Sequence, residues 1–241
     1  MSIINVDFAL EQLPEVLKGV PLTLTIAVIS MLLGFVFGLL ISLCRIFKVP
    51  LLNKMAVLYV SFFRGTPLIV QLYVFFYGIP ILLEWTNKYL GWSLDADQIS
   101  PLIYALIAYT LNTAAYQSEI FRAALNSTNA GQMEAAYSVG MTTVQGLWRI
   151  LLPQALVVAL PNLGNTFIGL IKATSLAFAI KVVEIMAMAK IIANDGYNYL
   201  EMYLDASIIY WVLCFVFERI FAILENKLRS HELKMDIDVS E

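Results

Sequence analysis

The sequence predicts an all-α membrane protein built on about five spanning helices. Three observations carry this prediction. The 241 residues are 60% hydrophobic and 14% charged, against roughly 45–50% and about 25% for an ordinary soluble domain. The apolar residues gather in separate stretches of about 20 residues or more, the length a bilayer requires. The link between the first two stretches holds Arg45, Lys48 and Lys54 and no acid, the charge bias of a cytoplasmic loop. Such spans use roughly 100 residues and leave roughly 140 for loops, tails and surface helices.

The first stretch, Val20 to Cys44, reads as a retained helix rather than a secretory leader. Its apolar run is longer than a leader's core, and the residues before it carry Asp7, Glu11 and Glu15 against Lys18. The second runs from Ala56 to Leu83, with Arg64 just inside it. The link from Glu84 to Ser100 sets Lys88 against Glu84, Asp95 and Asp97 and carries Trp85, Tyr89 and Trp92, a composition that suits the outer interface. The third stretch is Pro101 to Leu125. The connection from Asn126 to Ile150 contains Ala, Met, Gln and Glu in helical proportions, broken by Gly131, Gly140 and Gly146. It reads as short helices lying across the inner surface.

The fourth stretch is Leu151 to Ile171. The outer segment that follows, Thr174 to Asp205, holds an amphipathic run from Ile180 to Ala193 with Lys181, Glu184 and Lys190 on one side. That run reads as a surface helix, ended by Asn194, Asp195 and Gly196. The fifth stretch is Ala206 to Leu224, and the tail beyond it carries Lys227, Arg229 and Lys234. Alternation places the N-terminus outside and the C-terminus inside. The sequence shows no internal repeat of the kind found in many secondary transporters.

Several chemistries are excluded by the inventory. With 15 Lys and Arg against 18 Asp and Glu the net charge is -3, so there is no polybasic field for nucleic acid. The one histidine, His231, lies in the tail, which removes a histidine triad or an H-E-x-x-H zinc site from the membrane region. No G-x-x-x-x-G-K-[ST] sequence occurs, and no lysine follows a glycine, so the chain binds no ATP through a P-loop of its own. Cys44 and Cys214 have neither metal-ligand nor paired spacing and read as small buried hydrophobes. No metal site is expected.

Polar residues within a bilayer usually face the bundle interior or a water-filled path. In the third stretch Tyr109, Asn112, Tyr116 and Glu119 follow helical spacing along one face. In the fourth, Asn162, Asn165, Gly169 and Lys172 do the same, with Thr166 adjoining. Gln71 stands one turn beyond Pro67 in the second. Gln71, Asn112, Tyr116, Asn165 and Thr166 are therefore candidates for substrate contact, although such groups also serve as hydrogen-bonding glue between helices. Glu119 and Arg122, spaced i, i+3, are expected to pair near the inner face, and Glu218 with Arg219 to pair locally or snorkel.

The most specific motif lies in the inner connection: Glu134-Ala135-Ala136, three residues, Gly140, nine residues, Ile150, one residue, Leu152-Pro153. Small side chains at Ala135 and Ala136 permit close backbone approach to a partner, Gly140 suits a chain reversal, and Pro153 suits the first turn of the next helix. The spacing resembles the EAA loop of bacterial ABC importer permeases. Further resemblance lies in Phe62-Phe63-Arg64-Gly65-Thr66-Pro67-Leu68-Ile69-Val70-Gln71, in Ala115-Tyr116-Gln117-Ser118-Glu119-Ile120-Phe121-Arg122, in Leu160-Pro161-Asn162-Leu163-Gly164-Asn165 and in Lys172-Ala173-Thr174-Ser175-Leu176. Together they are similar to the polar amino acid permeases, which include histidine, glutamine, arginine and cystine uptake systems.

The resemblance implies the type I ABC importer permease architecture with cytoplasmic coupling helices, in the inner membrane. It implies that Glu134, Ala135, Ala136 and Gly140 couple the chain to cytoplasmic ATPase subunits that hold ATP and Mg²⁺, with no cofactor in the chain itself. It further implies a second permease chain, identical or related, and an extracytoplasmic amino acid binding protein. The position of Thr166 is often an acid in relatives that resemble cationic amino acid systems; here it is neutral, and the wording of the fourth span resembles cystine-type permeases. A neutral or sulfur-containing amino acid such as L-cystine is the expected substrate. The competing reading is a secondary transporter or channel using the same polar faces without an ATPase.

Overall fold

A computed structural model describes residues 4–93, 95, 98–128 and 131–238, with side chains described as far as residue 228. Asp97 and the side chains of Arg229, His231 and Lys234 lie outside the described residues. All regular structure among the described residues is helical.

Helix α1 (Val6–Leu17) is capped by the Asn5 side chain, which accepts from the Phe8 N–H at 3.2 Å. It packs on two later helices through Val16, which clusters with Ile185, Ala189 and Met202. Helix α2 (Val20–Ile46) begins with Pro21 in its first turn, where a missing N–H does no harm. One face exposes Leu32, Val36, Phe37 and Leu40, as a lipid-facing surface does. The opposite face buries Ala27, Ser30, Gly34 and Gly38. A Cβ on Gly34 would stand 3.0 Å from Thr113 Cγ2, and one on Gly38 would stand 3.0 Å from Gln117 Cβ and 3.1 Å from the Ala114 carbonyl oxygen. The backbone of α2 thus rests directly on the next long helix it meets, α5 (Pro101–Ser127).

The expected single helix from Ala56 to Leu83 is two helices, α3 (Leu52–Gly65) and α4 (Leu68–Leu90). Thr66 and Pro67 are both extended, with ψ of 144° and 136°. The cause is local: Pro67 disfavours helical geometry in the residue before it and offers no N–H to the preceding turn. The apolar run continues across the break, which is why composition alone joins the two.

Helix α5 is the centre of the molecule. It is capped by Ser100, starts with Pro101, and buries Ala105, Ala108, Ala114 and Ala115 together with Thr113, Gln117 and Ser118. Four helical segments are long and apolar enough to cross a membrane by composition, within Val20–Ile46, Leu68–Leu90, Thr143–Ile180 and Tyr199–Leu228. At 27 residues α5 matches their length but is more polar. Its neighbours shield it from lipid, so its polar side chains meet protein.

The inner connection forms α6 (Gly131–Ser138) and α7 (Thr143–Gly146), the latter closed by a capping box between Thr142 and Gln145. A π-helical turn, Leu147–Leu151, then leads into α8 (Leu152–Ala173). Pro153 cannot return an N–H to the turn before it, and the ladder widens there, with the Leu152 N–H bonded to the Leu147 carbonyl. After a 3₁₀ segment, Thr174–Ile180, Lys181 turns the chain at φ 67°. Helix α9 (Ile185–Gly196) follows, and then α10 (Tyr199–Asp238).

The outer amphipathic run differs from its sequence reading. Only Ile185 onward is helical; Lys181 lies outside the helix, and Glu184 is fully buried rather than on a solvated face. Glu184 caps α9, accepting from the N–H groups of Met186 and Ala187 at 2.9 Å each. Periodicity groups Glu184 with Lys181 and Lys190 on one side, whereas its place is set by two orphan helix donors. The end of α9 at Gly196 follows the expected Asn-Asp-Gly signal. Cys44 and Cys214 are free and half-buried rather than fully enclosed.

Candidate functional site

The broken helix organises the candidate site. Ending α3 at Gly65 leaves carbonyl groups that no helical N–H can reach. Gln71, one turn into α4, donates Nε2 back to the Phe63 carbonyl at 3.0 Å, the Thr66 carbonyl at 3.1 Å and Thr66 Oγ1 at 2.8 Å. Asn112 of α5 donates Nδ2 to Gln71 Oε1 at 3.0 Å and to the Phe63 carbonyl at 3.3 Å. Two amides thereby satisfy the irregular backbone, the condition for tolerating it at membrane depth. Tyr59 adds a bond from its hydroxyl to the Leu111 carbonyl at 2.6 Å, fixing α3 on α5.

Beside this junction lies a cavity of about 280 Å³ lined by Leu68, Asn112, Thr113, Tyr116, Thr166 and Gly169, among others. Three of the five candidate substrate residues therefore meet at one cavity: Asn112, Tyr116 and Thr166. Gln71 does not line it; it is buried behind Asn112 as part of the stitching. Asn165 does not line it either, and lies exposed on α8 with Asn162 and Lys172. Asn112 has committed its amide N–H groups to Gln71 and Phe63, leaving Oδ1 as the group it can offer. The Thr166 hydroxyl donates within its helix to the Asn162 carbonyl at 2.8 Å. All side chains lining the cavity are uncharged.

Tyr109 shares the α5 face in sequence but is fully buried, its hydroxyl donating to the Ala173 carbonyl at 2.7 Å. That bond ties the middle of α5 to the end of α8. Toward the end of α5, Glu119 pairs with Arg122 at 2.7 Å and also receives Arg45 of α2. The i, i+3 pair is thus half of a three-residue clamp joining two helices. Arg219 lies over the Phe215 ring on α10.

In the inner connection Gly140 adopts φ 78°, a left-handed conformation that favours glycine. It reverses the chain between α6 and α7. Glu134 and Ala135 are exposed. Ala136, by contrast, is 1% exposed, turned toward Gly146 of the same chain, whose added Cβ would meet Ala136 Cβ at 3.4 Å. Of the two alanines expected to approach a partner, only Ala135 is free to do so; Ala136 holds α6 against the following turn.

Residues 31–230 match the family described as the binding-protein-dependent transport system inner membrane component. The chain belongs to this family. It is 41% identical over 228 residues to the probable amino-acid permease protein YxeN of Bacillus subtilis (strain 168), covering 95% of this chain and 97% of that protein. It is 40% identical over 222 residues to the L-cystine transport system permease protein TcyL of the same organism, covering 92% and 90%. Its fold is similar to a chain in the crystal structure of an amino acid ABC transporter with histidines, with a TM-score of 0.78, 28% identity, and coverage of 94% of this chain and all of that one. The permease is accordingly a multi-pass inner membrane subunit of an ABC importer, and ATP hydrolysis belongs to a separate subunit. This sets aside the reading as a transporter that needs no ATPase.

Two features of the permease escaped the sequence reading. Arg64, read from sequence only as a charge just inside the second stretch, stands at the helix break with its guanidinium carbon 5.4 Å from the Tyr116 ring centroid. The signal was present in the Gly65-Thr66-Pro67 sequence that follows it. Glu184 was assigned to a solvated face, and its position one residue before the apolar helix is the cue that identifies a cap.

Proposed function

We propose that the permease forms, with a second identical or related chain, the path by which an ABC importer moves a neutral or sulfur-containing amino acid such as L-cystine. The observation that carries this reading is the cavity between α5 and α8, where Asn112, Tyr116 and Thr166 present neutral polar groups. A buried carboxylate for a cationic side chain is missing from that lining, and the similarity to an L-cystine permease points the same way. Thr166 and Asn112 contact the substrate, with Tyr116 at the cavity wall; Gln71 supports Asn112, and Asn165 faces the second permease chain.

Coupling runs through residues 126–150. Glu134 and Ala135 dock on an ATPase subunit that binds ATP and Mg²⁺, and Gly140 keeps the docking helix reversed against the membrane. An extracytoplasmic binding protein delivers the amino acid to the outer side, near α9. The N-terminus lies outside and the C-terminus inside, in keeping with Arg45, Lys48 and Lys54 in the first link. The test is ATP hydrolysis by the reconstituted complex with its cognate binding protein, screened across amino acids. Stimulation by L-cystine or another neutral amino acid is the expected result. Stimulation by cationic amino acids alone, or uptake driven by an ion gradient through this chain alone, would overturn it.

A further inference from the structure

We propose that Arg64 is the receptor for the substrate's α-carboxylate, so that the permease recognises the amino acid backbone by charge and leaves the side chain to the neutral cavity. The inference rests on the α5–α8 cavity being the translocation path. Arg64 is the penultimate residue of the 14-residue α3, one helix of about 21 Å away from the basic link. Its guanidinium covers Tyr116, near the middle of the 27-residue α5 and itself on the cavity wall. The cation therefore stands beside the middle third of α5.

A charge at that depth is expensive and is retained where it pairs or lines a path. Among the described residues Arg64 enters no ion pair. This contrasts with Arg45 and Arg122, which both satisfy Glu119. Arg64 is exposed, held only by the face of Tyr116, which binds a cation without neutralising it. A planar guanidinium with its donors free matches a carboxylate in bidentate geometry. The complementary group of a zwitterion, its ammonium, needs an acceptor, and Asn112 Oδ1 is the uncommitted one. Leu68, at the uncapped start of α4, brings the electropositive end of that helix to the same cavity, adding to the field of Arg64.

The test uses the purified permease and ATPase complex in detergent without binding protein, and a radiolabelled mixture of L-amino acids with L-cystine, read by equilibrium binding and resolved compound by compound. Wild type retains one or more neutral compounds. R64Q lowers that retention at least about ten-fold, and R64K lowers it less. Against wild type, the α-carboxamide of the retained compound competes at least about ten-fold more weakly than the acid. This second comparison decides the matter should R64Q fail to assemble. Binding by R64Q within about two-fold of wild type, or equal competition by the carboxamide, overturns the role of Arg64. Absence of any bound amino acid in wild type overturns the path reading itself, before any substitution is made.

Discussion

The Tyr210 hydroxyl donates to Glu184 Oε2 at 2.5 Å, joining the membrane-spanning α10 to the cap of α9. The same carboxylate accepts two backbone N–H groups, and the adjoining Ile185 N–H reaches Thr23 Oγ1 of α2 at 3.4 Å. One acidic side chain therefore ties α9 to α10, and the backbone N–H of the next residue adds α2.

Replacing Glu184 removes the cap and strands the Tyr210 hydroxyl. Glu184→Ala should cost about 1–3 kcal/mol, read as a lowered melting temperature of the purified complex, with Glu184→Gln losing less. Burial holds the Glu184 carboxyl above the usual carboxylate range, opposed but not cancelled by hydrogen bonds from Tyr210, Met186 and Ala187. Its native pKa exceeds the unfolded one, so its contribution is fully present below the unfolded value and is lost as pH rises through the native value. The melting temperature of wild type should fall over that rise, and that of Glu184→Gln should fall less; parallel pH profiles would refute the assignment.

Gly38 allows the α2 backbone to lie against α5. Gly38→Val would press on the Ala114 carbonyl and the Ser118 N–H, each 3.1 Å from its first side-chain atom, and neither backbone group can turn aside. A loss of about 1–3 kcal/mol is expected, measured as thermal stability in detergent, with Gly78→Val, where no atom stands within 4 Å, as the control position.

The double variant Glu134→Ala with Gly140→Val should insert in the membrane yet fail to retain the ATPase. Valine at φ 78° is strained, and on the proposed coupling the exposed Glu134 supplies the docking charge. Co-purification of the ATPase and ATP-driven uptake should both drop by at least about ten-fold. Normal uptake by this variant would contradict coupling through residues 126–150.

Thr166→Glu places a carboxylate on the neutral cavity wall. Uptake of neutral amino acids should weaken by about ten-fold while arginine and lysine become effective competitors, in line with the gain available from a charge-assisted contact. Unchanged selectivity in a well-assembled variant would move the substrate site elsewhere.

Much of this was legible in the sequence because the strongest signals are local. The third stretch, Pro101 to Leu125, differs from α5 by two residues at one end, since Ser100 and Pro101 mark a helix start by their own chemistry. The reversal at Gly140 followed from spacing. The break at Thr66 and Pro67 was not read, because a proline between apolar residues fits either a helix start or a helix interior, and only the extended backbone of Thr66 decides. Gln71 reads as a candidate substrate contact because a buried amide looks the same whether it serves a ligand or orphan carbonyls; only the structure places it on the Phe63 and Thr66 carbonyls and outside the cavity lining. Ala136 could not be told from Ala135, since two small neighbours differ only in which way the helix is rolled.

The glycine seam between α2 and α5 also bears on how an importer alternates between its two open states. Where backbone touches backbone, a shear of even one turn would drive Gly34 and Gly38 out of register with Thr113 and Gln117. The two helices therefore travel as a single strut, bolted at one end by Arg45 and Glu119. The strut therefore holds Asn112, Thr113 and Tyr116 as one fixed wall of the cavity, and relative motion during the cycle falls to α4 and α8, which supply the rest of its lining.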